Sequence, residues 1–180
     1  MDEQQVVYVI FDTTKGDIVL EVHRDWSPLG AQRFIDLVED GFYDGAPWFR
    51  VIEGFVAQCG ISADPEKNLK WGEDTFADEP VVKGNEPGYL AFGKSGLPDS
   101  RSTHIFINYR DNSGGLDPQG FSCFAKVHTG MELATDLHKC EWNDQYGLTQ
   151  PGGLEKFKKA FPEADFITKA YVVDNPEDRK

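Results

Sequence analysis

Apolar positions along the chain follow two rhythms. Residues 6–13 and 17–22 alternate and are rich in β-branched side chains, with Lys15-Gly16 between them, which predicts a β-hairpin. Over 25–41 the period becomes helical: Phe34, Leu37 and Val38 share one stripe. Ser27 is placed to cap this helix, Pro28 suits its first position and Gly41 ends it. From Pro47 to Gly60, β-branched and aromatic residues dominate and Glu53-Gly54 interrupts them, so two short strands meet at a turn or bulge. Periodicity is lost over 61–87, where a long surface loop is expected, with Leu69, Trp71 and Phe76 as its anchors. Residues 89–92, 104–109 and 121–127 read as strands separated by the turn-rich segments 94–102 and 110–120. Thr129 and Glu132 form a capping box for a second helix that turns Met131, Leu133, Ala134 and Leu137 inward. A polar connection (141–153), a short helix (154–161) stopped by Pro162, a last strand (164–173) and a frayed tail (175–180) complete the chain.

These elements predict a mainly β fold. Many short strands with two main helices spread among them fit a closed antiparallel barrel capped by helices, with an open sandwich as the alternative. No repeat, linker or composition break divides the chain. A single domain over 1–180 is expected, with its core at about 6–173.

Charge and composition narrow the function. A net charge of −13 opposes binding to a phosphate backbone or an anionic membrane, so neither nucleic acid nor membrane is an expected partner. No apolar run has the length of a membrane span, and Met-Asp-Glu-Gln-Gln lacks the regions of a signal peptide; a cytoplasmic location is expected. Cys59, Cys123 and Cys140 are odd in number and widely spaced, which gives neither a disulfide framework nor a zinc pattern. None of His23, His104, His128 and His138 pairs at a metal-ligand spacing, and no Ser, His and acid constellation stands out. His23 and His138 are expected in solvent. Gly88-Tyr-Leu-Ala-Phe-Gly93-Lys94-Ser95 matches the letters of a phosphate-binding loop, but its middle is strand-like and Gly96-Leu97-Pro98 cannot open a helix.

One cation stands in an apolar setting. Arg50 lies among Trp48, Phe49, Val51, Ile52, Phe55 and Val56, with Glu53 as the only obvious partner. A bulge that re-aims Phe55 brings Arg50, Phe55 and Gln58 to one site: a fork of donors, an apolar wall and an amide. A core hairpin with a snorkelling arginine is the plainer reading.

Further motifs in fixed order change the balance. Gly41-Phe-Tyr-Asp-Gly45, Phe49-Arg50-Val51-Ile52, Gly54-Phe55 and Gln58 are followed by Arg101-Ser-Thr-His104-Ile-Phe106-Ile-Asn108, Leu116-Asp117 and Gly120-Phe-Ser-Cys-Phe124. Together they resemble the cyclophilin-type peptidyl-prolyl cis/trans isomerases, from about Phe11 to Val173. The charged segment after Ile61 resembles a subgroup in which it replaces a glycine-rich loop. The resemblance implies a closed eight-stranded antiparallel barrel capped by two helices, here with a short C-terminal helix. It implies isomerisation of X-Pro bonds in peptides and flexible protein segments, assistance to folding, no metal or other cofactor, and a monomer. It places Arg50 on the catalytic arginine and Phe55, Val56, Gln58, His104, Phe106, Leu116 and Phe121 on the substrate site, with Phe49, Lys94, Ser95 and Gly115 on its rim. Departures are Phe49 and Phe121 for histidines, His104 for glutamine, Val56 for methionine and Gly115 for tryptophan. Gly115 implies weakened binding of cyclosporin-type macrocycles, and His104 implies pH dependence near neutrality. These departures also motivate a second reading: a proline-peptide binding module with weak or no catalysis.

Overall fold

The alternating runs at the start of the chain pair as expected. In the computed structural model, which describes residues 4–179, β1 (Val6–Thr13) and β2 (Gly16–His23) form a hairpin in the register Ile10↔Val19. The helix that follows, α1 (Pro28–Glu39), is shorter than the expected 25–41. It buries Phe34, Leu37 and Val38 together with Ala31 and Ile35 and packs on the sheet. Ser27 sits at the N-cap, but its hydroxyl accepts no helix amide and instead donates to Glu79 Oε1. The cap comes from fifty residues downstream: Glu79 accepts the amides of Leu29 at 2.9 Å and Gly30 at 3.0 Å.

The middle of the chain supplies β3 (Arg50–Ile52), β4 (Val56–Cys59), β5 (Tyr89–Phe92), β6 (Ile105–Asn108) and β7 (Cys123–Thr129). Segment 61–87 is less irregular than expected. It contains α2 (Pro65–Trp71), capped by the Asp64 side chain. Trp71 and Phe76 anchor it against the core, whereas Leu69 is 84% exposed and anchors nothing. After β6 come α3 (Ser113–Leu116) and a 3-10 turn at Asp117–Gln119. The capping box is not formed: α4 (Met131–Thr135) begins at Gly130 in the left-handed region, where a Cβ would meet Asp17 O at 2.7 Å. The polar connection holds β8 (Cys140–Glu141) and α5 (Gln145–Leu148), then α6 (Gly153–Ala160) and β9 (Ile167–Val173) follow. Lys180, the end of the expected tail, lies outside the described residues.

All nine strands belong to one sheet of order β8-β3-β4-β6-β5-β7-β2-β1-β9. It curls around a core that includes Phe11, Phe34, Tyr43, Trp48, Phe92 and Phe124. The expected closed eight-stranded barrel capped by two helices is not what forms. β8 and β9 remain the two ends of the sheet, the segment before β3 meets the segment before β9 at the isolated bridge Pro47↔Phe166, and the described residues hold six α-helices. The bridge is made by Ile167 N donating to Ala46 O at 2.9 Å and Trp48 N to Asp165 O at 3.0 Å, and the pairing is not continued into β8. The phosphate-loop match is spent as strand β5. Among the described residues no helix is long and apolar enough to cross a membrane.

Two side observations complete the picture. His23 is not solvated: it stacks on Trp26 at 3.6 Å and bonds Glu21 at 2.6 Å. The three cysteines are buried thiols, and burial pushes Cys123 up to about 12 and Cys140 up to about 11, away from the reactive thiolate.

Candidate active site

Three adjacent strands lay out the first wall. In β3 and β4 Arg50 pairs with Gln58, and in β4 and β6 Gln58 pairs with Phe106, so the three side chains stand in a row across the sheet. Val56 pairs with Asn108 one step along. The Glu53-Gly54 turn carries the chain to Phe55, whose ring lies 6.0 Å from the Arg50 guanidinium carbon. Arg50 Nη1 donates to Gln58 Oε1 at 3.3 Å, and Gln58 Nε2 lies 3.3 Å from His104 Nδ1. An amide nitrogen only donates, so His104 accepts through Nδ1 and is neutral. The carboxylate beside Arg50 is Glu141 on β8, with Oε1 3.7 Å from Nε, rather than the expected Glu53.

His104 reaches this position through a close backbone approach. Gly60 follows β4 at φ +120°, and a Cβ there would lie 2.4 Å from His104 Cα and from Thr103 O. Only glycine fits such contact. Burial pushes the imidazole pKa down to about 4, so the expected titration near neutrality is replaced by one in acid.

A second wall is apolar and comes from the segment after β6. Leu116 and Phe121 pack with Val56 and Phe106, and the rings of Phe106 and Phe121 meet edge to face at 5.7 Å. Three asparagines tie this segment to the strands. Asn112 Nδ2 donates to Phe55 O at 3.1 Å and Asn108 Oδ1 at 2.9 Å. Asn108 Nδ2 donates to Asn85 Oδ1 at 3.0 Å, and Asn85 Nδ2 to Phe121 O at 2.9 Å. The carbonyls of Phe55 and Phe121 are thus linked through one buried amide chain.

A third wall is the loop after β5. Lys94 sets its ammonium 5.0 Å over the Phe121 ring, and Gly93, Ser95, Ser100 and Ser102 continue the surface. Between the two serines, Arg101 is 1% exposed and pairs with Glu79 at 3.0 Å. Arg33 Nη1 donates to Ser102 O at 3.0 Å. Burial alone would raise the Glu79 carboxyl, but bonds from Ser27, Leu29, Gly30 and Arg101 outweigh it and hold the pKa low.

The three walls enclose an open cavity of about 640 Å³ that Arg50, Phe55, Val56, Gln58, His104, Phe106, Leu116 and Phe121 all line. Its shape and chemistry suit a small apolar ring flanked by backbone amides. The family model described as cyclophilin type peptidyl-prolyl cis-trans isomerase/CLD matches residues 8–158. The chain belongs to that family.

Curated cyclophilin-type relatives agree with the match. Peptidyl-prolyl cis-trans isomerase B of Escherichia coli is 34% identical over 137 residues, covering 72% of this chain and 82% of that protein. Peptidyl-prolyl cis-trans isomerase A of Dickeya dadantii is 30% identical over 145 residues, covering 74% and 72%. Among solved structures, a Cryptosporidium parvum cyclophilin type isomerase matches 95% of this chain and 99% of its own at TM-score 0.70 and 22% identity. A Hirschia baltica cyclophilin matches 96% and 76% at TM-score 0.70 and 19% identity. At such identities these two matches speak to the fold.

Within this cyclophilin-type site two expected rim residues are elsewhere. Phe49 is fully buried in the core; its ring and that of His104 meet edge to face at 5.4 Å, and its amide donates to Gln58 O at 3.2 Å. It backs the imidazole that the cavity sees. Gly115 is exposed on α3, and a Cβ there would meet nothing within 4 Å. Lys94 and Ser95 do line the cavity. Sequence reasoning missed Gln145, which lines it from α5, and the Asn85, Asn108 and Asn112 chain behind it. Buried amides read as ordinary turn residues until their partners are known.

Proposed function

We propose that the cavity binds the ring of an X-Pro dipeptide against Phe55, Phe106, Leu116 and Phe121 while Arg50 stabilises the twisted peptide bond. The observation that carries this reading is Arg50 held between Gln58 and Glu141 at the mouth of an apolar pocket. Rotation about the C–N bond faces a barrier of about 18–20 kcal/mol because resonance gives it double-bond character. Twisting localises a lone pair on the proline nitrogen. A guanidinium donates to that nitrogen, or holds the carbonyl oxygen, more strongly in the twisted state than in either planar one, which is differential stabilisation. A guanidinium is a rigid planar fork of donors, and the contacts of Arg50 to Gln58 and Glu141 already fix it. Gln58 and the backbone near Gly93 offer groups to the substrate amides, so one side of the bond is held while the other turns.

The substrate class is proline-containing peptide. The Cryptosporidium parvum isomerase was also solved in the presence of the dipeptide Ala-Pro, and matches this chain at TM-score 0.69. This supports carrying an Ala-Pro-like ligand over to the cavity. A monomeric isomerase domain over about 6–173, working in the cytoplasm on flexible segments, is the reading that goes with it. Neutral His104 and buried Phe49 leave the Arg50 contacts intact, so catalysis is expected over a binding-only module. Exchange spectroscopy on X-Pro peptides tests this. Wild type should accelerate cis/trans exchange, and Arg50→Ala should lower kcat/KM about 10²–10³-fold, as loss of a transition-state donor does. An active wild type matched by the mutant would remove Arg50 from the mechanism. Peptide binding without acceleration would favour the module.

A further inference from the structure

A second depression, of about 450 Å³, lies between α2 and α5, outside the cavity described above. Pro65, Glu66, Leu69 and Glu73 line it from one side and Tyr146 and Pro151 from the other. Leu69 is 84% and Tyr146 78% exposed, so two large apolar side chains stand in water with nothing over them. Both line the same groove, and an exposed apolar patch rimmed by polar residues is the kind of surface that takes a partner. The walls are fixed to each other, because Asn68 Nδ2 donates to Ser62 O at 2.9 Å and to Thr149 O at 3.4 Å.

Charge on α2 is sorted by side. Lys67, Lys70 and Trp71 all turn to Asp40 at the end of α1, with Lys67 Nζ 2.6 Å from its carbonyl and Trp71 Nε1 2.8 Å from its carboxylate. That leaves Glu66 and Glu73 on the groove side, neither with a cation partner among the described residues. The groove therefore combines apolar walls with unneutralised carboxylates. Complementary chemistry is a basic residue next to a leucine or an aromatic.

The groove also adjoins the candidate active site. Gln145 lines the cavity and Tyr146, the next residue of α5, lines the groove. A single helical turn is the ridge between them. Crossing a helix of about 10–12 Å diameter takes about four extended residues at about 3.3–3.6 Å each.

We propose that this groove is a second substrate subsite, which holds a basic and apolar segment of the same polypeptide whose proline occupies the cavity. The inference rests on the function proposed above. Tethering makes the second contact intramolecular, so a flanking segment raises affinity without any change at the reacting bond.

The test compares two kinds of peptide by exchange spectroscopy. One is a short Ala-Pro peptide; the other carries a Leu-Lys-Tyr-Lys extension four residues away, made in both directions. For wild type, one extended peptide should show KM about tenfold below the short one with kcat unchanged. Tyr146→Ala with Leu69→Ser should abolish that gain and leave the short peptide as it was. Glu66→Lys with Glu73→Lys should lose the basic extension and gain for a Leu-Glu-Tyr-Glu one. Equal KM for short and extended peptides on an active wild type would overturn the subsite while leaving the isomerase reading intact. Failure on the short peptide itself would strike that reading instead. A wild-type mass that rises with concentration and falls to monomer in Tyr146→Ala would assign the groove to a second copy, against the proposal.

Discussion

The strand-built wall and the loop-built wall of the cavity are held by different forces. Arg50, Gln58 and Phe106 occupy paired positions of β3, β4 and β6, where backbone ladders fix spacing and direction. Residues 93–102 have no such ladder beyond the isolated bridge Phe76↔Arg101. Their position depends on side chains from far away: Glu79 on Arg101, Arg33 on Ser102, and Asp78 and Asp99, each of whose carboxylates accepts the other's amide at 2.7 and 3.0 Å. A ladder loses little when one side chain goes. A clamp of single contacts loses its function with one substitution.

The largest expected effect lies in that clamp. Glu79→Ala removes the carboxylate from a cation that is 1% exposed and whose Nε and Nη1 have no hydrogen-bond partner among the described residues. Breaking a buried pair from one side costs about 3–5 kcal/mol. The same change uncaps α1, so urea unfolding should shift strongly and the mutant should lose peptide affinity where it remains folded. Glu79→Ala with Arg101→Met should recover part of the stability, since the stranded charge is then gone. A double mutant no better than the single would show that the cap, and not the ion pair, carries the effect.

Next in size is the amide chain behind the apolar wall. Asn108→Ala removes the Nδ2 donor to Asn85 Oδ1 and Tyr89 O and the Oδ1 acceptor of Asn112 Nδ2, leaving Asn85 Oδ1 the Cys123 thiol and Asn112 Nδ2 its bond to Phe55 O. Each buried group left unpaired costs about 1–3 kcal/mol. Because the chain links Phe55 to Phe121, KM should rise more than kcat falls. A melt lowered with KM unchanged would make the asparagines structural only.

How far the two walls were legible in sequence follows the same division. Arg50, Gln58 and Phe106 lie in short strands and Phe55 in the turn between two of them, and family-like motifs marked all four. The edges of the sheet were not legible, because the seam rests on two backbone bonds between residues more than a hundred positions apart, Ile167 N to Ala46 O and Trp48 N to Asp165 O. Phe49 reads as rim from its neighbour Arg50, yet alternation in β-structure sends the next side chain to the other face, here into the core. Ser27 shows the same limit at a helix start. Its type and position were right, but the hydroxyl serves Glu79, whose proximity no local pattern encodes.

His104 offers a smaller, graded test on the strand side. Its pKa falls to about 4 through burial, against about 6.5 in an unfolded chain. Between those values the unfolded state binds more protons, so stability falls as pH drops from about 6.5 towards 4 and is level above that window, as far as His104 is concerned. Catalysis should be flat from about pH 6 to 8. An NMR titration of the imidazole with its midpoint near neutrality would show that the ring is solvated and that Gln58 is not held by it. His104→Gln should remove the slope in stability while sparing activity near pH 7.

The smallest expected effect is at Gly115, where the two walls are bridged by neither ladder nor clamp. A Cβ at this position meets open space, and the residue sits on α3 next to Leu116, so Gly115→Trp should fold with an unchanged melt. Gly115 does not itself line the cavity, but its neighbour Leu116 does, so an indole there is long enough to bring apolar area and one N–H donor towards the opening. One neutral hydrogen bond contributes about 0.5–1.5 kcal/mol, and about 1.4 kcal/mol is tenfold in affinity. Cyclosporin-type macrocycles should therefore bind up to about tenfold tighter to the mutant by calorimetry, with kcat for a short X-Pro peptide unchanged because Arg50 and Gln58 are untouched. A gain in macrocycle affinity confined to Gly115→Trp, and absent in Gly115→Leu, would assign the effect to the donor. An equal gain in both would assign it to area, and no gain in either would place the macrocycle's contacts on the strand-built wall alone.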